Sequence, residues 1–278
     1  MSLSIRTLVV WLVLATRVPV PVPAAFETTR SLDGFSMYDP LSPHHRTQHA
    51  NPATLTLIPS YVFASAARPF GLHALDSRLA GIVVGNDRLA GAASLSALGQ
   101  NQLYREMDAS ISVAVSLLGR AHLGAAFHHL DVQLGDRFSP VRGQVWDAGI
   151  WLTLSPQLGA GLSVTDAGAP YVVGRPLLRA RMRFSASYLH SDRLSLQVGV
   201  QKWMDEWSFA LGQTIGFASR LYLSAELQTE PLLLRLSARV VLGRLNLSYT
   251  YRDHPDLGGD QMVGVAFRIS PRRGDVPP

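Results

Sequence analysis

Cysteine is absent from the 278 residues. That excludes disulfides, a lipid-anchored N-terminal cysteine, a Cys-containing zinc site and a thiol nucleophile. Lysine is nearly absent: Lys202 is the single lysine among 25 basic residues, a bias we read as codon usage. Charge as a whole is scarce, at 16% of residues, where soluble domains carry about a quarter. No uninterrupted apolar run of about 18 residues occurs, so no transmembrane helix is available. What is present is a 47% hydrophobic composition broken into short pieces. A chain too apolar for a soluble domain and too interrupted for helical spans fits a transmembrane barrel. There, outward residues are apolar only at every second position.

The first residues resemble a removable export signal. Arg6 precedes an apolar stretch at 8–15, which Arg17 shortens, and Val22-Pro23-Ala24-Ala25 supplies a small-residue cleavage site after Ala24 or Ala25. Residues 1–25 contain Arg6 and Arg17 but no acid, so their loss lowers the formal charge from +5 to +3. That excess is too small to argue for nucleic-acid binding, and none is expected.

Residues 26–53 are turn-rich and proline-broken, as in Tyr38-Asp39-Pro40-Leu41-Ser42-Pro43. Beyond them the periodicity becomes two. Over 178–188, Leu178, Ala180, Met182, Phe184, Ala186 and Tyr188 share one face, and Arg179, Arg181, Arg183, Ser185 and Ser187 share the other. The same split recurs at 158–165, 194–201, 232–239 and 245–250. The polar faces carry mostly Ser, Gly, Gln and Arg, not the Lys and Glu of a solvated sheet, which suits a tight lumen.

Alternation predicts fourteen antiparallel strands, near 54–67, 77–84, 88–99, 109–118, 121–131, 145–154, 157–166, 178–189, 194–202, 207–215, 220–228, 232–242, 245–252 and 261–270. The fold class is therefore all-β, a single 14-stranded transmembrane β-barrel over 54–270 with a short N-terminal plug segment over 26–53. A disordered tail follows at 271–278. Connections after even-numbered strands are short; those after odd-numbered strands are longer, at 68–76, 100–108, 132–144, 167–177 and 253–260, with two short exceptions at 204–206 and 229–231. Short periplasmic turns opposite longer outer loops place both termini in the periplasm of an outer-membrane protein. Trp146, Tyr171, Tyr188, Trp203, Trp207, Tyr222, Tyr249 and Tyr251 fall near strand ends, where aromatic girdles form.

No catalytic signature is present: there is no G-x-S-x-G, H-E-x-x-H, P-loop or dinucleotide fingerprint. The chain is not read as an enzyme, and no cofactor or metal is expected. His122, His128, His129 and His190 pair with no particular serine and read as loop or strand-end histidines. His44, His45 and His49 cluster ahead of the barrel without an acidic ligand at fixed spacing. Arg273-Gly274-Asp275 lies in the tail and reads as chance. The informative charges are those predicted to face the lumen: Arg179, Arg181 and Arg183, Arg235 and Arg239, and Arg268, with Glu226 as counter-ion for Arg235. Two roles are open to them. An Arg–carboxylate network would fill and rigidify a narrow barrel, the reading we favour. Surplus cations would instead attract an anionic group.

Asn51-Pro52-Ala53, just ahead of the first strand, resembles the NPA motif of FadL-like outer-membrane barrels and of the related PorV/PorQ group. Tyr104-Arg105-Glu106 ahead of a strand, and residues 249–264 with Leu257-Gly258 ahead of the last strand, are similar to segments of many members. The glycine-rich lead into NPA is replaced by residues 38–50, and the chain is short, with little room for a long hatch. The resemblance implies a barrel in which Asn51, Pro52 and Ala53 form part of a plug. It also implies passage or binding of a hydrophobic small molecule, including one with an anionic head group. The alternative it implies is a non-conducting scaffold of the type 9 secretion system. Expected partners are outer-membrane lipids, the small-molecule ligand, and secretion-system or surface proteins.

Overall fold

The computed structural model describes residues 37–41, 47–100, 104–134, 140–168, 171–172, 175–176, 180–203, 205–217, 220–254 and 258–269. Fourteen strands form one closed antiparallel barrel in which each pairs with its neighbours in sequence. They are β1 (Tyr61–Arg68), β2 (Ser77–Gly85), β3 (Leu89–Gln100), β4 (Tyr104–Leu117), β5 (Ala121–Leu134), β6 (Val141–Thr153) and β7 (Leu158–Ala167). The second half comprises β8 (Arg181–Ser191), β9 (Leu194–Trp203), β10 (Glu206–Phe217), β11 (Leu221–Gln228), β12 (Leu233–Leu242), β13 (Leu245–His254) and β14 (Gly258–Arg268). A two-stranded ribbon, Tyr171–Val172 with Arg175–Pro176, stands between β7 and β8. Closure is made by β1 and β14, in register from Tyr61 opposite Arg268 to Arg68 opposite Gln261.

The alternation read from the sequence sorts side chains as expected. Arg181, Arg183, Ser185 and Ser187 are buried in the lumen, while Met182, Phe184 and Tyr188 are exposed on the outer wall. Ile111, Val113, Val115 and Leu117 on β4 are likewise outward. An outer wall of large apolar residues around a lumen of small and charged ones is the inverse of a soluble domain.

Three boundary expectations are corrected. The first strand begins at Tyr61, not at 54, because Pro52–Leu57 is a 3-10 helix. Tyr104-Arg105-Glu106 does not precede a strand but opens β4, and Gly258 opens β14. Of the described residues in the expected loops at 100–108, 132–144 and 253–260, nearly all are strand: β3, β5 and β13 run on to Gln100, Leu134 and His254, and the next strands begin at Tyr104, Val141 and Gly258. Their charges imitate loop polarity, yet Glu106, Asp108 and Asp260 are buried and face inward. Two of the expected girdle aromatics are also corrected. Trp203 and Tyr222 lie on the lumenal face, under the guanidinium groups of Arg181 and Arg239. Trp146, Trp207, Tyr188 and Tyr249 are outward.

The apolar core lies inside the barrel at the end that holds Tyr61 and Arg268, here the terminal end. There Leu55 and Ile58 pack on Tyr61, Phe63, Leu79 and Val83. Met37, Ala50 and Ala53 pack on Trp151.

Candidate functional site

Two layers of side chains occupy the lumen. The layer nearer the terminal end is built around Asn51, Pro52 and Ala53, which the structure brings together inside the wall. Asn51 caps the 3-10 helix: its Oδ1 accepts the Ala53 N–H at 3.0 Å. Its Nδ2 donates to the Ile150 carbonyl at 3.0 Å and reaches the Leu162 carbonyl at 3.5 Å. Ile150 and Leu162 are cross-strand partners on β6 and β7, so one amide bridges two strands. Pro52 occupies the first helical position, where its fixed φ and missing N–H cost nothing. The wall admits this backbone because glycine lines it. A Cβ on Gly124 would overlap the Ala53 backbone, and one on Gly149 would overlap Asn51 Oδ1.

Side chains of the wall fasten the rest of the segment. Ser163 Oγ donates to the Ala50 carbonyl at 2.7 Å, and Ser195 Oγ to Asp39 Oδ1 at 2.7 Å. His122 Nδ1 and Thr56 Oγ1 are 2.7 Å apart, and an Arg239 guanidinium nitrogen donates to the Leu41 carbonyl at 3.1 Å. Tyr38 meets the Trp151 ring edge-on, with centroids 5.4 Å apart.

The second layer lies nearer the opposite end and is ionic. His128, in the middle of β5, sits between two carboxylates. Its Nδ1 is 3.1 Å from both Asp108 oxygens on β4, and its Nε2 is 3.1 Å from Asp147 Oδ2 on β6. Each ring nitrogen thus faces a carboxylate on a neighbouring strand. Asp147 Oδ1 accepts the Asp166 N–H at 2.9 Å, and Asp166 Oδ2 lies 3.4 Å from Arg181 Nε. The chain of ionisable groups thus runs Asp108–His128–Asp147–Asp166–Arg181 across five adjacent strands. It ends where the Arg181 guanidinium stands 5.3 Å from the centre of the Trp203 ring.

Asp166 enters this network through a β-bulge. The β6–β7 register shifts between Trp146 and Ala148, and Asp166 takes a left-handed φ of 62°. The bulge buries Thr165 and Asp166 in succession, where strict alternation would put Asp166 on the outer wall. The remaining predicted residues are spread around the lumen. Arg183 Nε donates to Gln201 at 2.6 Å, and Arg235 lies 3.9 Å from Glu226. Arg239 stacks 4.6 Å from the centre of the Tyr222 ring, within electrostatic reach of Arg268. Arg179 lies outside the described residues, as do His44 and His45.

Sequence reasoning missed two features. His122 stands at the start of β5, as expected of a strand-end histidine, but is buried in the lumen; His128, expected at a loop or strand end, is buried and mid-strand. Even spacing within β5 would have placed both on the lumenal face with Leu130 and Val132. A third cluster was missed at the mouth: Arg252 binds Asp260, whose Oδ1 accepts the Phe70 N–H at 2.5 Å and so ties down the connection between β1 and β2. Among the described residues no group of three or more His, Asp or Glu is placed to hold a metal ion.

No protein-family model and no curated protein matches the sequence. The fold, however, is similar to solved outer-membrane barrels. The toluene transporter TodX of Pseudomonas putida superposes with a TM-score of 0.60 at 10% identity, over 81% of this chain and 92% of that one. The toluene transporter TbuX of Ralstonia pickettii gives 0.59 at 11%, over 82% and 94%. A Pseudomonas aeruginosa FadL homologue gives 0.57 at 11%, over 82% and 92%. The fold is FadL-like. No support for the PorV/PorQ resemblance comes from these neighbours.

Proposed function

We propose that the protein is an outer-membrane barrel that passes or binds a hydrophobic small molecule. The observation that carries this reading is the shared fold with transporters of a hydrophobic substrate, TodX and TbuX. The outward apolar belt supports a bilayer location, and an even strand count returns both barrel ends to one side, which we assign to the periplasm. In this reading the segment over 26–53 acts as the plug, continued by the 3-10 helix Pro52–Leu57. The fastening of Asp39, Ala50, Asn51 and Thr56 to the wall supports it.

The lumenal arginines are assigned to the wall and the plug. Arg181, Arg183, Arg235 and Arg239 each engage a protein partner, which favours the structural role left open by the sequence. The ligand is then recognised through its apolar body, not through an anionic head group.

The test combines uptake and co-purification. Host cells lacking their own hydrophobic-substrate barrels are supplied with radiolabelled toluene or a long-chain fatty acid. Expression of the chain is expected to raise uptake, and extraction of the purified barrel to release a hydrophobic molecule. A folded outer-membrane barrel with neither property would overturn the reading.

A further inference from the structure

The outer wall of a barrel is convex, but over β13, β14, β1, β2 and β3 it is hollowed into a cavity of about 660 Å³. The register shows why. One row around the barrel reads Leu247, Val265, Ala64, Ala80, Leu95. Its middle is methyl groups and its ends are isobutyl and isopropyl groups, so the floor lies below its rims. The next row, nearer the connection between β1 and β2, reads Val263, Ala66, Arg78, Ala97. Arg78 is the second residue of β2 and points outward with the apolar set.

Arg78 acts on Asp76 electrostatically but makes no hydrogen bond or ion pair with it. Asp76, the acid beside Arg78, is held by Arg68 through two hydrogen bonds, Nε to Oδ1 at 2.8 Å and a terminal guanidinium nitrogen to Oδ2 at 3.2 Å. No hydrogen bond or ion pair joins Arg78 to another described residue. A guanidinium at a strand end beside an apolar trough is placed at head-group depth, where it reaches the interface and takes phosphate oxygens on its fork of N–H donors. The volume is that of a small-ligand site. A second barrel, itself convex, would bridge the hollow and leave it empty, whereas a slender flexible chain fills it.

We infer that this groove binds one anionic, phosphate-bearing lipid of the leaflet on that side, with an acyl chain on the alanine floor and the phosphate on Arg78. The site opens on the outer face of the wall, with Ser65, Leu79 and Ser96 of the lumenal face also bordering it. It rests on the proposed function only in taking the outer wall to face a bilayer.

The test is native mass spectrometry of the intact barrel released from nanodiscs of equal parts phosphatidylglycerol and phosphatidylethanolamine. The wild type is expected to retain one phosphatidylglycerol in preference. Arg78→Gln should lower that retention about fivefold, the worth of one arginine at a membrane surface. Ala80→Phe, which fills the floor, should abolish retention of both lipids; Ala64→Leu serves the same purpose if Ala80→Phe fails to fold. Equal retention of the two lipids by the wild type, or unchanged retention in Arg78→Gln, overturns the site. A barrel that does not enter nanodiscs at all overturns the bilayer assignment with it, whereas an inserted barrel without lipid preference overturns the groove alone.

Discussion

Asn51 and Gly149 form a matched pair, a side chain that needs room and a residue that gives it. The Asn51 carbonyl oxygen occupies the place a Cβ on Gly149 would take. Gly149→Ala is expected to destabilise the barrel by about 1–3 kcal/mol, the usual effect of overpacking. Adding Asn51→Ala removes the overlap, so the double variant should lose less than the sum of the single losses. Urea unfolding of the refolded protein in micelles measures both, and strict additivity would show that the two do not meet. His128 makes a second residue-scale case. Replacing it with Leu leaves Asp108 and Asp147 buried without the imidazole between them, and a loss of about 1–3 kcal/mol is expected by the same measurement. His128→Leu combined with Asp108→Leu should recover part of that loss, because one of the two carboxylates that lost the ring is then gone.

At the scale of elements, Asp39, Ala50, Asn51 and Thr56 are each held by a hydrogen bond to a different part of the wall. Deleting residues 26–58 is expected to raise conductance in planar bilayers well above that of the full barrel; equal conductance would show that other residues close the lumen. The connection at 69–76 carries a pH-dependent tie. The Arg68 guanidinium beside Asp76 holds that carboxyl below its ordinary range. The tie is therefore complete above about pH 4 and is lost as pH falls through the lowered value. An NMR titration of the Asp76 carboxyl should show a midpoint below about 3.9, and a midpoint at or above it would refute the tie. The strands were legible in the sequence because a period of two survives composition bias, as in residues 181–188. The 3-10 helix was not, since Thr54-Leu55-Thr56-Leu57 also alternates and only the Asn51 cap and Pro52 distinguish it. Nor was the network of Asp108, His128 and Asp147. These three are diagonal neighbours across two ladders, and their meeting requires the register, in which Ser110 and Val145 face His128. Asp166 was hidden further by its bulge.

For the molecule as a whole, a closed wall with its apolar side outward predicts how the protein behaves in bulk. It should fractionate with the outer membrane, and unheated samples should migrate differently from boiled ones on a denaturing gel. Recovery in the soluble periplasm would refute the assignment. The seam between β1 and β14 has one more consequence. It joins the first strand of the barrel to the last, so the ring has two open edges until Gln261 and its neighbours have been delivered. Whatever inserts the chain must shield those raw edges from other chains throughout export, because residue-by-residue completion is ruled out. A chain cut short before residue 258 is thus not a smaller barrel but a curled sheet with both margins bare.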